Sequence, residues 1–598
     1  MKPLIAAALG VWCLCAATPA AAGSDVIFGG HTAGFESVYF IPQSDEEAAR
    51  FLTQATFGPS KATIAQFRAS SYDGWIDQQL AQPPTLARAY LDALAALPTP
   101  PSIGQSQRMD RWFHTAAFGS DQLRQRMAFA LSQILVVSDR ADALSNDAFG
   151  VAEYADILAR NAFGNYRQLL EEVTLSPMMG RYLSHWRNRK ANLTGTQLPD
   201  ENYAREIMQL FTIGLVERND DFSPILDGFG QPVPTYVQQE VSELARVFTG
   251  WSYNCGSSTS CSTYTGLYSG PAGYTPMACF PAYTDSGAKT LLGGAPIAAG
   301  PVCGTGTNGT SQPSDPAVVT ACRAYCVDQI ETTLDYLFNH PNVAPFVSRQ
   351  LIQRFVTSDP SGAYIARVAA VFNDNGHGVR GDLGAVIRAV LLDDEARQPP
   401  ADPAAPYGKL REPLLRLTAA WRAFGVTPPA AVNGEIQMGI RSPHTPFAQR
   451  PLGAPSVFNF FEPDYQPPGA LDAADVYAPE FQIANETTAM TAANELWSRI
   501  WVGYSSSSGT FTTPTTSAWL NVADLVPLVT GANATGANAY NLFLDEIDLR
   551  LFGNTLSADT RAVLRNFLIF SLAGSHEHIK ILSTVHLATM SPEFLVQR

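Results

Sequence analysis

The segment Asp200–Leu215, DENYAREIMQLFTIGL, sets an acid, a base and a second acid on a stretch with helical apolar spacing. At 100° per residue, Tyr203, Ile207, Leu210, Phe211 and Leu215 share one face, widened by Ala204, Met208 and Ile213. Glu201, Arg205, Gln209 and Thr212 share the other. Glu206 falls between Leu210 and Ile213, which predicts a carboxyl at least partly buried. Glu201 and Arg205 are spaced for a surface ion pair. A buried carboxyl needs a partner, or its pKa rises. Two readings follow. In one, Glu206 forms an internal ion pair with Arg246 or Arg354. In the other, it is an acid/base or metal-binding carboxylate, with Arg205 and Asn202 as orienting groups and Glu243 or Glu240 as a second carboxylate.

Other residues offer binding chemistry. His444 lies with Gln449 and Arg450 in a Pro-rich stretch and makes a candidate polar site. Tyr264, Tyr268, Tyr274, Phe280 and Tyr283 share one polar loop region, and Phe458, Phe460, Phe461 and Tyr465 another. If exposed, such rings stack on sugars or grip a partner; otherwise they pack locally. His576, Glu577, His578 and His586 do not spell HExxH, because Lys580 stands where the second His belongs. Surface or capping roles are expected there, as for His340 before Pro341, and no metal site is predicted. GTGTNG at Gly304–Gly309 lacks the flanking strand and helix of a dinucleotide site. GWSYN has Asn254 where a nucleophile elbow needs Gly, so Ser252 is not expected to be a nucleophile.

The elements that must position these residues are helices. Ser44 reads as an N-cap followed by acids, with Ala48, Phe51, Leu52 and Ala55 at helical spacing and Gly58 as the stop. Leu123, Met127, Ala130, Leu131 and Ile134 line one face of a second helix, and two more flank Gly164. A further helix runs from about Val237 to Thr249. From 252 to 314 the chain is rich in Gly, Ser, Thr, Pro, Tyr and Cys, which predicts an irregular insertion. Helices return afterwards, interrupted by long Pro-rich loops. Nothing alternates strand and helix for long, so the fold class is mostly α: one large helical domain over 23–598 with its core from about 45 to 594.

Composition places the chain. It has 598 residues, 46% hydrophobic and 16% charged, enough to bury a large core. A net charge of −15 with no basic run argues against nucleic acid as a partner. Lys2, an apolar run from Leu4 to about Ala17 and Ala20–Ala22 read as a secretory signal over residues 1–22. No later segment is apolar over 18 residues, so no transmembrane span is expected in the mature chain. Two of the eight cysteines lie in the apolar run. The other six, Cys255, Cys261, Cys279, Cys303, Cys322 and Cys326, favour disulfides in an exported chain, in any of 15 pairings. The competing reading is a thiolate metal site around Cys322 and Cys326, with no His nearby. A periplasmic or secreted protein is predicted.

Several segments together resemble one family: ARFLTQATFGPS, ENYAREIMQLFTIGL, VSELARVFTGW, GAKTLLGG, HPNVAPFVSRQLIQRFV, YIARVAAVF and the late SPEF. In order and length they are similar to the DUF1800 family of exported bacterial proteins, from about Asp45 to Phe594. The resemblance implies export and genes often found beside those of DUF1501 proteins, hence a DUF1501-type partner. It brings no agreed reaction, and the cofactor stays unknown. Many relatives carry His-Asp before the G-x-K-T-x-x-G stretch, whereas this chain has Thr284 before Asp285. A role resting on that His does not carry over. Two functions remain open: an extracytoplasmic hydrolase of a polymer or envelope component, acting through Glu206, and a non-catalytic binding or assembly protein.

Overall fold

Ser44 opens the helical part of the chain. Its Oγ accepts the Glu47 N–H at 3.1 Å, and Asp45, Glu46 and Glu47 meet the positive end of the helix dipole. The helix Asp45–Ala55 buries Ala48, Phe51, Leu52 and Ala55. The chain then turns at Gly58, whose φ of +118° excludes a side chain, and where a Cβ would come within 2.5 Å of the Ala419 backbone. In this computed structural model, which describes residues 41–254, 264–265, 273–305, 309–398, 400, 402 and 405–598, about half of the chain (51%) is helical. The signal segment, Cys255, Cys261 and Tyr268 lie outside the described residues.

The expected helices form where the apolar spacing puts them: Gln122–Ser132, Ala148–Arg160, Tyr166–Leu175 and Gln238–Val247. Asn165, just after Gly164, caps the third of these by accepting the Arg167 N–H at 2.9 Å. Strands among the described residues are two-residue antiparallel pairs. One joins Lys409–Leu410 to Val596–Gln597, so the end of the chain closes against the middle. No helix of the described residues is long and apolar enough to cross a membrane.

Buried side chains form two large clusters. The first holds Phe51, Leu131, Tyr154, Tyr203, Phe211, Leu351 and Val386. The second holds Phe113, Leu417, Trp421, Leu496, Phe543 and Val585. Each buried large side chain contributes roughly 1.5–3 kcal/mol. A buried ionic network ties segments from both clusters together. Lys409 Nζ lies 3.1 Å from Glu480 and 3.6 Å from Glu412, and donates to the carbonyls of Gln353 and Arg354 at 2.8 and 3.0 Å. Gln133 and Gln449 both donate to Glu412, at 2.7 and 2.6 Å. Burial alone would raise the Glu412 carboxyl, but Lys409, Arg126 and Arg354 hold it below its ordinary value.

The described parts of the insertion are irregular and disulfide-held, as its composition implies. Cys279 pairs with Cys326 and Cys303 with Cys322. Both bonds fasten the insertion to the 23-residue helix Pro316–Phe338, which carries Cys322 and Cys326. These four sulfurs are therefore not thiolates for a metal.

Candidate functional site

The opening segment departs from the expected helix at Glu206. Asn202–Glu206 is α-helical, and Ile207–Thr212 widens into a π-helix. Thr212 Oγ1 donates to the Ile207 carbonyl at 2.5 Å. The N–H of Gly214, at φ +71°, reaches back to Met208 at 3.0 Å. The wider turn shifts the faces. Thr212, expected outside, is fully buried, and Leu215, expected inside, is 55% exposed. Such π-turns recur at functional sites because they re-aim side chains that a regular helix would direct elsewhere.

Glu206 is buried, as the wheel predicts, with 6% of its surface exposed. Its expected partners are elsewhere. Arg246 grips Asp285 through two bonds of 3.0 Å and Glu243 at 2.7 Å, and Arg354 faces Glu412 and Glu480. No described residue bonds to the Glu206 carboxylate, and its Oε2 is fully enclosed. Burial raises its pKa, opposed by Arg205. Burial, and then the charge on Glu206, push the Tyr182 phenol up to about 12.

The other residues proposed around Glu206 diverge. Arg205 pairs with Glu201 at 3.4 Å, the expected surface pair, and donates to Gln238 at 3.1 Å. Asn202 is exposed, its N–H donating to Asp200 at 2.9 Å. Glu243 accepts from Arg246 and from the Thr290 N–H at 3.2 Å, so its partners are not those of Glu206. Lys289, from the GAKT stretch, is buried beside Asp285. Its pKa falls to about 8 through burial, against the pull of Asp285. Thr284, where relatives carry His, donates to the Thr249 carbonyl at 3.2 Å and lies 3.3 Å from Cys326 Sγ.

The remaining candidates are held inside the fold. Arg450 and Arg108 grip the two oxygens of buried Asp139, and Gln449 serves Glu412. Beside them, His444 has an enclosed Nδ1 without a partner, and burial followed by Arg450 lowers its pKa. Tyr283 stacks on Tyr264 at 4.0 Å, with Arg189 over both rings. Phe460 and Phe461 are core residues and Phe458 is half exposed. His578 and His586 bond the carbonyls of Gly509 and Ala493, and Ser252 donates to the Tyr264 carbonyl at 2.9 Å. Among the described residues, no group of His, Cys, Asp and Glu is placed to hold a metal.

The π-turn instead presents Gln209, Leu210, Ile213 and Gly214 to a cavity of about 370 Å³. Its other walls come from Gln133 and Ile134, just past the helix Gln122–Ser132, from the helix Val343–Phe355, and from segments 215–222 and 457–464. That volume is in the range of small-molecule sites. Four buried polar side chains lining it carry enclosed atoms with no partner among the described residues: Gln133 Oε1, Gln350 Nε2, Arg354 Nε and Nη1, and both Oδ1 and Nδ2 of Asn459. Asn459 is 6% exposed and sits at φ +68°, its N–H closing a turn onto Ser456 at 3.3 Å. A buried amide with neither end satisfied is costly, and a left-handed backbone adds to that cost. Both features are common where a ligand completes the bonding. Phe222, Phe346, Phe458 and Phe461 supply flat apolar walls.

The charges around this cavity are balanced from within. Glu412 and Glu480 face Arg354, and Asp464 pairs with Arg349 at 2.6 Å and faces Arg218. The amides, part of the Arg354 fork and the exposed Glu462, which no cation of the described residues pairs, are left to engage a guest. Of the lining residues, Phe458 and Phe461 belong to an aromatic group that the sequence marks for ring stacking or partner contact, whereas Gln133, Gln350 and Asn459 carry no site expectation. The Asn in the Pro-rich stretch was the available signal, since Asn tolerates the left-handed region better than most residues.

The family model described as "Protein of unknown function (DUF1800)" matches residues 50–596. No curated protein and no solved structure matches the chain. The match spans nearly the whole sequence and contains the opening helix, the GAKT stretch and the cavity segments, so the chain belongs to the DUF1800 family.

Proposed function

We propose that the protein works outside the cytoplasm as a binding protein, and that the cavity beside the π-turn takes a neutral, hydroxyl-rich ligand such as the carbohydrate of an envelope polymer. The observation that carries this is Asn459, a buried amide without a partner for either end. Amides donate and accept at once, as hydroxyls do, and the phenyl walls suit the apolar faces of sugar rings. The inner charges are balanced, and the exposed Glu462 in the lining disfavours an anionic guest. Disulfides agree with an oxidising compartment. Hydrolysis through Glu206 has less support, because Glu206 lines none of the cavities described here.

The test is a panel of envelope oligosaccharides, read by calorimetry with wild type and Asn459→Gly. Glycine keeps the left-handed turn and removes the amide. At least one glycan binds wild type and is weakened tenfold or more by the substitution. Equal binding by both proteins counts against this site.

A second reading, assembly with a DUF1501-type partner, draws on the exposed arm at 216–234. Ile225, Leu226 and Phe229 stand out on it, and Phe229 is 92% exposed. Apolar side chains grouped this way mark interaction surfaces. Co-purification with the DUF1501-type protein, lost in Phe229→Ser, tests it.

A further inference from the structure

A second cavity, of about 710 Å³, lies between the first helix, the strand pair that joins 409–410 to 596–597, and segment 550–555. Several cations line it, and most are occupied. Arg50 pairs with Glu46 at 3.1 Å and donates to the Arg397 carbonyl at 2.8 Å. Arg550 pairs with Glu546 at 3.0 Å, and Lys409 belongs to the buried network.

Arg411 differs. It is 7% exposed, and no hydrogen bond or ion pair from any described residue engages its guanidinium. Its backbone is pinned, with its N–H donating to Leu595 at 2.7 Å and its carbonyl accepting Arg416 Nε at 2.6 Å. Its guanidinium carbon lies 4.4 Å from the Phe594 centroid, and its enclosed Nε has no partner among the described residues. Among the described residues Arg416 has no carboxylate partner either, so two like charges adjoin here. Burial, then Arg416, lower the Arg411 pKa to about 10, and the group stays cationic at neutral pH. Three acids line the cavity: Glu46 is paired with Arg50, Glu593 accepts from the hydroxyls of Ser557 and Thr560 at 2.7 and 2.6 Å, and the carboxyl of Asp359 is raised by burial against the pull of Arg349.

A buried cation with no counter-charge is expensive because its desolvation is not repaid. We propose that this cavity is a separate binding site for an organic anion, whose carboxylate or phosphate group is received by the Arg411 guanidinium. The planar fork matches both groups through paired hydrogen bonds. Tyr407 and Tyr477 line the space the rest of such a molecule would fill.

The test is thermal unfolding of the full chain with citrate or inorganic phosphate, against sodium chloride at equal ionic strength. Wild type shows a saturable rise in melting temperature with at least one anion beyond the chloride control. The stronger of the two identifies the group. Arg411→Met abolishes the response. Arg411→Lys, which keeps the charge and decides the matter if the Met variant does not fold, weakens it about tenfold. No saturable response in wild type, or equal responses in wild type and Arg411→Lys, overturns the proposal.

Discussion

The Arg354 guanidinium lies 4.8 Å from the ring centroid of Phe461, and both residues line the cavity beside the π-turn. The stack holds the fork flat while Glu412 and Glu480 balance its charge from behind. Arg354 Nε and Nη1 are left without a protein acceptor. A rigid donor beside partnerless amides is a pre-organised binding surface.

Gln350 separates binding from folding. Its Nε2 is enclosed and without a partner. Gln350→Leu keeps the volume and removes that cost, so stability in urea stays level or rises by about 1 kcal/mol. Ligand affinity falls in the same variant. A loss of stability with unchanged affinity would show the amide to be structural.

Glu206 responds in the opposite sense to a paired carboxylate. Its raised pKa means that the folded state holds this proton more tightly than the unfolded state. The stabilisation is present at low pH and is lost as pH rises through the folded pKa. At pH 7 Glu206→Gln therefore melts at or above wild type, and the gain shrinks below about pH 4.5. A sharp fall in melting temperature at pH 7 would reveal a partner.

His185 gives the pH dependence of the same region. It stacks on Tyr203 at 3.9 Å and donates from Nε2 to the Thr174 carbonyl at 2.8 Å. Burial, only partly offset by that bond, lowers its pKa to about 4. Its contribution is full above pH 6.5 and is lost as pH falls toward 4, at up to roughly 1.4 kcal/mol per pH unit. Urea unfolding of wild type and His185→Phe from pH 7.5 to 4.5 reads the difference, and parallel curves contradict it.

Lys409 is the centre of the buried network. Lys409→Met removes the cation in contact with both Glu412 and Glu480, leaving them the charges of Arg126 and Arg354, and costs about 3 kcal/mol in chemical unfolding. Adding Glu480→Gln to that variant recovers part of the loss.

The helices were legible in the sequence because local spacing decides them. Ser44, Gly58 and the break near Gly164 each act within a few residues. The burial of Glu206 was legible for the same reason. The π-turn was not. A wheel at 100° assumes bonds four residues apart, and the segment switches to five beyond Glu206. That one change puts Thr212 inside and Leu215 outside. The pairing of Arg246 with Asp285 and the acids that face Arg354 were hidden as well, since they depend on chain crossings tens of residues away or more. Asn459 lies in a stretch whose irregularity was evident from its prolines. That its amide stays unpaired depends on segments that meet only in the folded protein.

The most direct measurement is a high-resolution crystal structure of the protein with the glycan that binds it best. The account predicts sugar hydroxyls within hydrogen-bond distance of the Asn459 amide and of Gln350 or Arg354, with a ring face against one of the cavity's phenyl groups. Glycan density on the Tyr264–Tyr283 stack, with the cavity holding only water, would contradict it.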